Sequence, residues 1–358
     1  MKGRVSAAAL ILTGTLLLIM LSTAHGQIPL RDPNGRCLLE CHGDPEFKEE
    51  TAPGQYRTLY VDYEQFKLSV HREKLCVDCH TDVTLIPHER RPEEIHCLQC
   101  HYQGNVVGAP ITERPEKYKE SVHGKALQHG NPDAPDCRNC HGVHDARAPY
   151  DSLSTVYRMN IPKTCGRCHL DVYTVYLESV HGVAVTRGVP EAAVCSDCHR
   201  EHDLLSPQDP RSSLYPMNVA GTCATCHANE ELMHQVGISA EQVEAFKENF
   251  HGIALEFGVL RVARCTSCHE YHLILPSDDP RSSVHPENLA QTCGQCHPNA
   301  TDNVAKGKFH LIPSNPEAGI VFWVSQFFKW LTISVLAGLF LHILLDLYGR
   351  LRHKATGG

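Results

Sequence analysis

The cysteines of this chain occur in pairs at one repeated spacing, and a histidine directly follows each pair. Eight copies of the pattern CxxCH are present, and a ninth, "CLLECH", has one extra residue between its cysteines. The nine motifs contain all 18 cysteines. The cysteine pairs are Cys37 and Cys41, Cys76 and Cys79, Cys97 and Cys100, Cys137 and Cys140, Cys165 and Cys168, Cys195 and Cys198, Cys223 and Cys226, Cys265 and Cys268, and Cys293 and Cys296. The histidines that end the motifs are His42, His80, His101, His141, His169, His199, His227, His269 and His297.

This spacing suits the covalent attachment of haem. Two thiols can add to the porphyrin vinyl groups, and the imidazole that follows then reaches the iron as its first axial ligand. A zinc site does not require a histidine after every second cysteine, and a disulfide framework would not repeat one spacing with a trailing histidine. The motifs therefore predict nine covalent haem c groups, with the CxxxCH motif at Cys37 as the unusual member.

Three segments align without gaps, and each contains two haem motifs. Each begins with a histidine in "SVHG" or "NFHG", fourteen residues before a haem cysteine, and has another histidine three residues after that first motif. The unit is H-x13-CxxCH-x2-H-x20-CxxCH, which indicates a repeat architecture. A shorter unit precedes the three, and "GKFH" near the C-terminus resembles the opening of a further unit.

The histidines outside the motifs can fill the second axial position of each iron. Nine of them occur at the positions that the repeat marks: His71, His88, His123, His144, His181, His202, His251, His272 and His310. Because the number of these histidines equals the number of motifs, the sequence predicts bis-histidine ligation. His96 is an alternative to His88, since the first unit does not align with the others. The sequence does not assign a given distal histidine to a given haem.

Other histidines fail the alignment and are expected at the surface. His129 falls opposite Arg187 and Phe257 in the other copies, so that position does not require a ligand. His285 falls opposite tyrosines in both other copies.

The N-terminal residues 1–26 have the pattern of an export signal. Lys2 and Arg4 precede a long apolar run, and "STAHG" is a small-residue cleavage site before Gln27. The run is long for a signal peptide, so an uncleaved anchor is the alternative.

A second apolar segment, residues 330–347, has the length of a transmembrane helix. Arg350, Arg352 and Lys354 follow it directly, so the C-terminus is expected in the cytoplasm and the haem-binding part in the periplasm. A single helical span indicates the inner membrane, since outer-membrane spans are barrels. His342 lies in this span, four residues before Asp346. It is a candidate ligand of a b-type haem shared with a partner, a candidate quinone-pocket residue, or a polar contact to a neighbouring helix.

The expected fold is mainly α with little regular secondary structure. It is packed around its haems, built from diheme repeats, and followed by one C-terminal transmembrane helix. The expected parts are a signal peptide at 1–26, a three-haem module at 27–111, three diheme repeats at 112–310, and an anchor with a cytoplasmic tail at 311–358. The repeats cover 112–170, 171–238 and 239–310.

The combination of "SVHG", CxxCHxxH and a second CxxCH resembles periplasmic multihaem c-type cytochromes, broadly the cytochrome c3-like class. With "FFKWLTISVLAGLFLHILLDLYGRLR" added, the chain is similar to the multihaem subunits of membrane cytochrome b/c quinone oxidoreductases. The resemblance covers nearly the whole chain after residue 26. It implies electron transfer between a membrane cytochrome b or quinone oxidoreductase subunit and periplasmic cytochromes or reductases. The tetrahaem quinol dehydrogenases differ, with an N-terminal anchor and four haems.

The competing class is a multihaem reductase of small nitrogen or sulfur compounds. Such an enzyme needs one iron with an open coordination position, whereas here every motif ends in histidine and the distal count is complete. The sequence therefore favours an electron-transfer subunit without catalytic residues. A formal net charge of −8, without a basic stripe interleaved with aromatic residues, argues against nucleic acid as a partner.

Overall fold

The computed structural model describes residues 34–88, 90–110, 112–301, 303, 307 and 309–356. The predicted signal peptide lies outside the described residues. The described chain is mainly helical, and its strands are β1 (Lys48–Ala52) and β2 (Gln55–Thr58). These pair as an antiparallel hairpin that joins Lys48 to Thr58 and has an irregularity between Glu50 and Ala52. The predicted mainly α class is confirmed at this level.

The helices are short, apart from the last one. Up to residue 166, the α-helices are Gly35–Cys37, Tyr63–Lys67, Cys76–Cys79, Arg114–Glu120, Val122–Gln128, Cys137–His141 and Ile161–Gly166. A π-helix covers Leu38–His42, and 3-10 helices cover Cys97–Gln99 and Arg158–Asn160. Beyond residue 166, the α-helices are Leu170–Glu178, Val180–Thr186, Cys195–His199, Val219–His227, Glu230–Gln235, Gln242–Glu248, Phe250–Glu256, Cys265–His269, Leu289–Gly294 and Ile320–Thr356, with a 3-10 helix at Pro316–Ala318.

The described residues form two compact units. One comprises residues 34–119 and 123–164, and the other comprises residues 120–122 and 165–356. The first contains four cysteine motifs and the second contains five. The division at 164/165 falls inside the segment 112–170.

Apolar side chains bury little of this chain against itself. Among the described residues, the buried apolar side chains are Leu38, Tyr63, Ala146, Tyr176, Ala192, Val194, Val219, Met233, Val243, Ala245, Phe246, Leu255 and Leu275. Three of these thirteen are alanines, which contribute little apolar area. A domain of about 300 residues ordinarily buries about three quarters of the surface of its unfolded chain. The helices therefore surround very little aliphatic core.

Each repeat carries its opening histidine on the second of two consecutive helices. The sequence "DVYTVYLESVHG" suggests one helix that ends near the histidine, but the structure has Leu170–Glu178 followed by Val180–Thr186. The break lies at Ser179, whose backbone is extended and whose Oγ accepts a hydrogen bond from the N–H of Gly182 at 3.1 Å. Asn249 does the same for Gly252 at 3.0 Å in the next repeat. A capping side chain in an otherwise helical run starts a new helix.

The glycine after each opening histidine lets these two helices touch. A Cβ on Gly182 would lie 2.0 Å from the carbonyl oxygen of Tyr176, and one on Gly252 would lie 2.1 Å from that of Phe246. Gly124 has the same relation to Tyr118, at 2.0 Å. Only glycine permits this close backbone approach, which fixes the direction of the histidine that precedes it.

The last helix, Ile320–Thr356, differs from all the others. Within the segment Ile320–Arg352, the most apolar stretch of 18 residues has a mean hydropathy of 1.9, and the rest of the chain buries none of that stretch. At 1.5 Å per residue, 33 residues extend about 50 Å, more than the roughly 30 Å of a bilayer core. This helix is long and apolar enough to cross a membrane, as predicted for a single-pass anchor. His342 lies on it, and Asp346 pairs with Arg350 at 2.8 Å.

Candidate functional site

Imidazole rings from the motifs face imidazole rings from the predicted distal set. Seven such pairs have ring centroids 6.0 to 6.4 Å apart. They are His42 with His88, His101 with His71, His80 with His144, His227 with His181, His199 with His272, His297 with His251, and His269 with His310. Each pair combines one motif histidine with one histidine of the predicted distal set.

This separation matches the distance across an iron that has two axial imidazoles. A metal–imidazole bond is about 2 Å long, and a ring with bonds of about 1.33 Å places its nitrogen about 1.1 Å from the centroid. Two such arms on opposite sides of one iron give a centroid separation of about 6.3 Å. Direct ring stacking brings aromatic centroids as close as about 4.5 Å. The gap in each pair therefore fits a porphyrin plane.

The pairs follow a rule that the sequence did not reveal. An opening histidine faces the second motif of its own unit, as His181 faces His227 and His251 faces His297. A histidine that trails the first motif faces the first motif of the preceding unit, as His272 faces His199. Neighbouring sequence repeats therefore each contribute one histidine to such a pair. For His123, His141, His169 and His202, the assignment rests on the sequence repeat.

His310 takes a different place from the one that its sequence suggested. "GKFH" resembles an opening segment, but His310 faces His269, the first motif of the last unit. It therefore occupies the position of a trailing histidine. Its Nδ1 lies 3.1 Å from the carbonyl oxygen of Gln242, which fixes the ring on the last repeat.

The CxxxCH motif absorbs its extra residue as a π-helix. Leu38–His42 is π-helical, and the N–H of Gly43 donates to the carbonyl oxygen of Leu38 at 2.8 Å, five residues earlier. A wider turn of this kind accommodates one inserted residue. Nδ1 of His42 lies 2.7 Å from the carbonyl oxygen of Leu59, which orients the ring and leaves Nε2 for a metal.

His88, not His96, is the residue that the structure brings to His42. The two rings are nearly parallel, at 10°. His96 instead precedes the 3-10 helix Cys97–Gln99 as its N-cap residue.

Cysteines of successive motifs lie beside one another. None of the 18 cysteines, which all lie within the described residues, forms a disulfide. Hydrogen bonds join Cys97 to Cys137, Cys165 to Cys195, and Cys223 to Cys265. The bond from Cys137 lowers the pKa of Cys97 to about 6, and the bond from Cys195 lowers that of Cys165 to about 7. In each of these cases the second motif of one unit meets the first motif of the next.

The motifs within a unit are also close enough to interact electrostatically. Cys79 interacts with Cys100, Cys198 with Cys226, and Cys268 with Cys293. His42 acts in the same way on His80, so the CxxxCH motif adjoins the next one. The motifs therefore form one contiguous run in each compact unit.

The same set of hydrogen bonds fixes the segment between the two motifs in all three repeats. The hydroxyl groups of Thr155, Ser213 and Ser283 donate to the carbonyl oxygens of Cys140, Cys198 and Cys268 at 2.5 to 2.6 Å. The hydroxyl groups of Thr164, Thr222 and Thr292 donate to the carbonyl oxygens of Thr155, Ser213 and Ser283 at 2.6 to 2.7 Å. The side-chain amides of Asn160, Asn218 and Asn288 donate to the carbonyl oxygens of Ser154, Ser212 and Ser282 at 2.8 Å. The segment between the motifs is thus a fixed spacer.

A backbone hydrogen bond links each opening segment to the following unit. The residue before the opening histidine donates from its N–H to the carbonyl oxygen two residues after a trailing histidine. The three bonds run from Val70 to Ala146, from Val122 to Leu204, and from Val180 to Ile274, at 2.8, 2.8 and 2.9 Å. These bonds keep the ligand-bearing segments of neighbouring units in register.

Burial favours the neutral form of nine of the predicted ligand histidines. It is the main cause of a lowered pKa for His71, His80, His144, His181, His199, His227, His251, His269 and His272. Neighbouring histidines lower the pKa of several further. The neutral form is the one that binds a metal.

Residues directly after the first motif of each repeat were not singled out from the sequence. Gly142, Arg200 and Glu270 all have a positive φ, at 79°, 66° and 63°. After Gly142 and Glu270, this conformation turns the chain so that the histidine two residues later, His144 or His272, lies beside the motif of the preceding repeat. It is costly for residues other than glycine. A glycine in one copy of the three was the available signal.

Within the part of the chain that the structure describes, no three His, Cys, Asp or Glu side chains converge as they would around a free metal ion. A haem iron takes only two protein ligands, so paired histidines are the arrangement to expect for it. Comparisons of this chain with protein-family models, with curated proteins and with solved structures give no match.

Proposed function

We propose that this chain is a membrane-anchored nonahaem cytochrome c that conducts electrons between an inner-membrane quinone-linked partner and periplasmic acceptors. The observation that carries the proposal is the set of seven imidazole pairs at 6.0 to 6.4 Å. Each pair joins a motif histidine to a histidine that the repeat marks as distal.

The residues present fit haem c in three respects. Each motif offers two thiols that are not in disulfides for thioether bonds, next to an imidazole that can bind the iron. The paired rings leave the space of one porphyrin plane. The thin aliphatic core leaves apolar surface that a porphyrin face can cover. Bound haem would supply one-electron transfer at its iron.

The protein's own residues favour transport of electrons over catalysis on a substrate. In each pair two imidazoles would hold one haem iron, so a small molecule would find no open position on it. The CxxxCH motif was the weakest case for this argument, because its distal ligand was the least secure. His88 lies 6.1 Å from His42, which supports a closed site there too.

The arrangement of motifs supports a continuous path within each compact unit. In the second compact unit, the thiols of Cys165 and Cys195 and those of Cys223 and Cys265 are hydrogen-bonded, so consecutive motifs are in contact there. The bond at Cys97–Cys137 does the same in the first unit. Covalent attachment at adjacent cysteines would hold neighbouring porphyrins close together.

The C-terminal helix supports the membrane location. Arg350 and Arg352 follow its apolar stretch, which favours a cytoplasmic C-terminus and a periplasmic haem domain. The partner on the membrane side is proposed to be a cytochrome b or quinone oxidoreductase subunit, and that on the other side a periplasmic cytochrome or reductase.

The test is to produce the full chain with a c-type cytochrome maturation system and to purify it from membranes. Pyridine haemochrome titration against protein mass is expected to give nine covalent haems per chain. Ferric-state EPR is expected to show low-spin signals for all of them. A high-spin haem would contradict bis-histidine ligation and favour the reductase alternative. A substantially lower haem number would overturn the proposal.

The partner is tested by purification of the native membrane complex. Co-elution of a multi-span membrane subunit with b-type haem or bound quinone is expected. Recovery with a soluble catalytic subunit alone would contradict the quinone link.

A further inference from the structure

The three repeats end their opening-histidine helix in the same turn. Gly130, Gly188 and Gly258 each have a positive φ, at 79°, 79° and 84°. The residue after each glycine donates from its N–H to the carbonyl oxygen of Ala126, Ala184 or Ala254, at 3.0, 3.1 and 3.0 Å. This glycine-terminated helix end has the same backbone in all three copies. Differences between the copies therefore come from the side chains.

The side chains of the last copy differ in character from those of the other two. The first two turns read "HGNPD" (129–133) and "RGVPE" (187–191), whereas the third reads "FGVLR" (257–261). A phenylalanine replaces His129 and Arg187, a leucine replaces proline, and an arginine replaces an acidic residue. The third turn is thus apolar and basic where its counterparts are polar and acidic.

The apolar residues of this turn are exposed and continue onto the adjacent helix. Phe257 is 83% exposed and Phe250 is 77% exposed, and Ile253 between them is also exposed. Spacings of three and four residues place the three on one face of Phe250–Glu256. Val259 and Leu260 extend this surface into the turn. We call Phe250, Ile253, Phe257, Val259 and Leu260 the terminal apolar surface. Such a cluster marks an interaction site.

This repeat is also the one tied most closely to the membrane helix. His310 is fixed to the last repeat through the carbonyl oxygen of Gln242 at 3.1 Å. Residues 311–319 alone separate it from Ile320, where the last helix begins. Ten residue steps reach no more than about 34 Å when fully extended. Phe322, Trp323 and Phe327, at the start of that helix, are the residue types that lie at a membrane interface.

We propose that the terminal apolar surface inserts into the outer leaflet of the bilayer that the C-terminal helix crosses, with Arg261 at the lipid phosphates. Phenylalanine and leucine beside arginine form the composition of a segment that lies at a lipid surface. Replacement of Asp133 and Glu191 by Arg261 favours anionic headgroups. This inference rests on the proposed membrane anchoring.

Insertion there would fix one end of the array at the membrane. His251 follows Phe250 on the same helix and faces His297 at 6.2 Å. The last haem site would therefore lie at the lipid surface, where a membrane partner can exchange electrons with it. The structure thus assigns the membrane-proximal end to the motif at Cys293.

The test uses the full-length protein in native membranes, with a photoactivatable benzophenone amino acid at position 257 or, as the matched control, at position 187. Position 187 is the same place in the same turn of the preceding repeat. After illumination, mass spectrometry of the turn peptide identifies the adduct. Lipid adducts are expected at 257 and absent at 187. Protein adducts alone at 257, no adduct there, or equal lipid adducts at both positions would overturn the proposal.

A second variant replaces the two residues of the terminal apolar surface that distinguish the last turn, together with Arg261, and keeps a backbone conformation that the preceding repeat already adopts. The triple change F257R/L260P/R261E gives the last turn the residues that the preceding repeat carries in the same conformation. With the benzophenone group at 253, the lipid adduct seen in the otherwise unchanged chain is expected to disappear. Persistence of the adduct would contradict the role of the turn.

Haem content and resistance to alkaline carbonate extraction are measured on the same samples. If the chain is extracted by carbonate, the anchoring itself is wrong, and the inference falls with it. If the chain stays in the membrane with nine haems but shows no lipid adduct at 257, only the inference is wrong.

Discussion

At the scale of residues, the spacing of two imidazoles supports the proposed haem ligation. His251 and His297 face each other at 6.2 Å, too far apart for ring stacking and at the distance of two ligands on one iron. The same separation recurs in seven pairs whose histidines lie on different elements. A polar surface would not space its histidines so uniformly.

Removal of one distal histidine is expected to open one iron. In His251→Ala, covalent attachment remains, since Cys293 and Cys296 are unchanged, but the iron above His297 loses its second axial ligand. Ferric EPR of the full-length protein should then show one haem of nine in the high-spin state. The total haem content should stay at nine.

The matched control is His129→Ala. His129 is exposed, and its position is occupied by Arg187 and Phe257 in the other copies. The ferric EPR spectrum of the His129→Ala variant should equal that of the unchanged protein. A fully low-spin spectrum for His251→Ala would exclude this histidine as a ligand.

At the scale of elements, two short helices meet so closely that a glycine is required between them. The carbonyl oxygen of Tyr176 occupies the space that a Cβ on Gly182 would need. His181 directly precedes this contact, so the helix pair aims the ligand. The sequence motif "SVHG" combines the ligand with the residue that makes its placement possible.

Gly182→Ala is expected to destabilise the protein by about 2 kcal/mol or more, because the backbone must separate to admit the methyl group. The control is Gly221→Ala, in the helix Val219–His227, where a Cβ meets nothing within 4 Å. That change should leave stability unchanged or raise it by up to about 1 kcal/mol. Thermal unfolding of the two holoproteins measures the difference. Equal stability would contradict the close approach.

The last helix gives a second prediction at this scale. Leu336→Arg with Leu339→Arg places two charges near the middle of the apolar segment, at a cost of about 2.5 to 3.5 kcal/mol each. We expect this variant to be released by alkaline carbonate, whereas Leu336→Phe with Leu339→Phe should remain in the membrane pellet. N-terminal sequencing accompanies the assay. A charged variant that remains in the pellet with a cleaved N-terminus would contradict the anchor.

At the scale of the whole molecule, every site uses parts of the chain that lie far apart in sequence. His272 reaches back to His199 in the preceding repeat, and the backbone bond from Val180 to Ile274 holds the same two repeats in register. In the proposed cytochrome, the properties of one site can therefore be changed while its neighbours keep their ligands. The potential of a single site within the run is thus open to test.

His272→Met should raise the reduction potential of one site, because methionine ligation gives higher potentials than a second histidine. Spectroelectrochemical titration of the full-length protein should show one transition of nine at a more positive potential. Electron transfer through the second compact unit should slow, because a site at a more positive potential holds its electron more strongly. His129→Met, at an exposed histidine outside the predicted ligand set, is the control and should leave the potentials unchanged. An unshifted titration would exclude His272 as a ligand.

The sequence predicted the ligand types and their number, but not which residues pair. The trailing histidine His144 lies three residues from its nearest motif yet faces His80 of the preceding unit, because Gly142 turns the chain back. Spacing along the chain cannot show such a turn. The split of the ligand helix at Ser179 was also missed, since a single serine in a helical pattern is a weak signal. The assignment of His88 over His96 required the approach of two distant segments.

Four of the seven pairs join a motif histidine to a histidine from a later segment, which would set an order on assembly during the proposed export. In the proposed cytochrome, His80 emerges 64 residues ahead of His144, since 144 minus 80 is 64, and His269 emerges 41 residues ahead of His310, since 310 minus 269 is 41. Haem bound at such an early motif would therefore lack its second histidine until the following stretch arrives. The last iron of this kind would gain its second ligand only from His310, just before the membrane helix stops translocation. A stalled or prematurely ended polypeptide would carry a vacant iron at its trailing edge, and the cell could recognise the unfinished product by that vacancy.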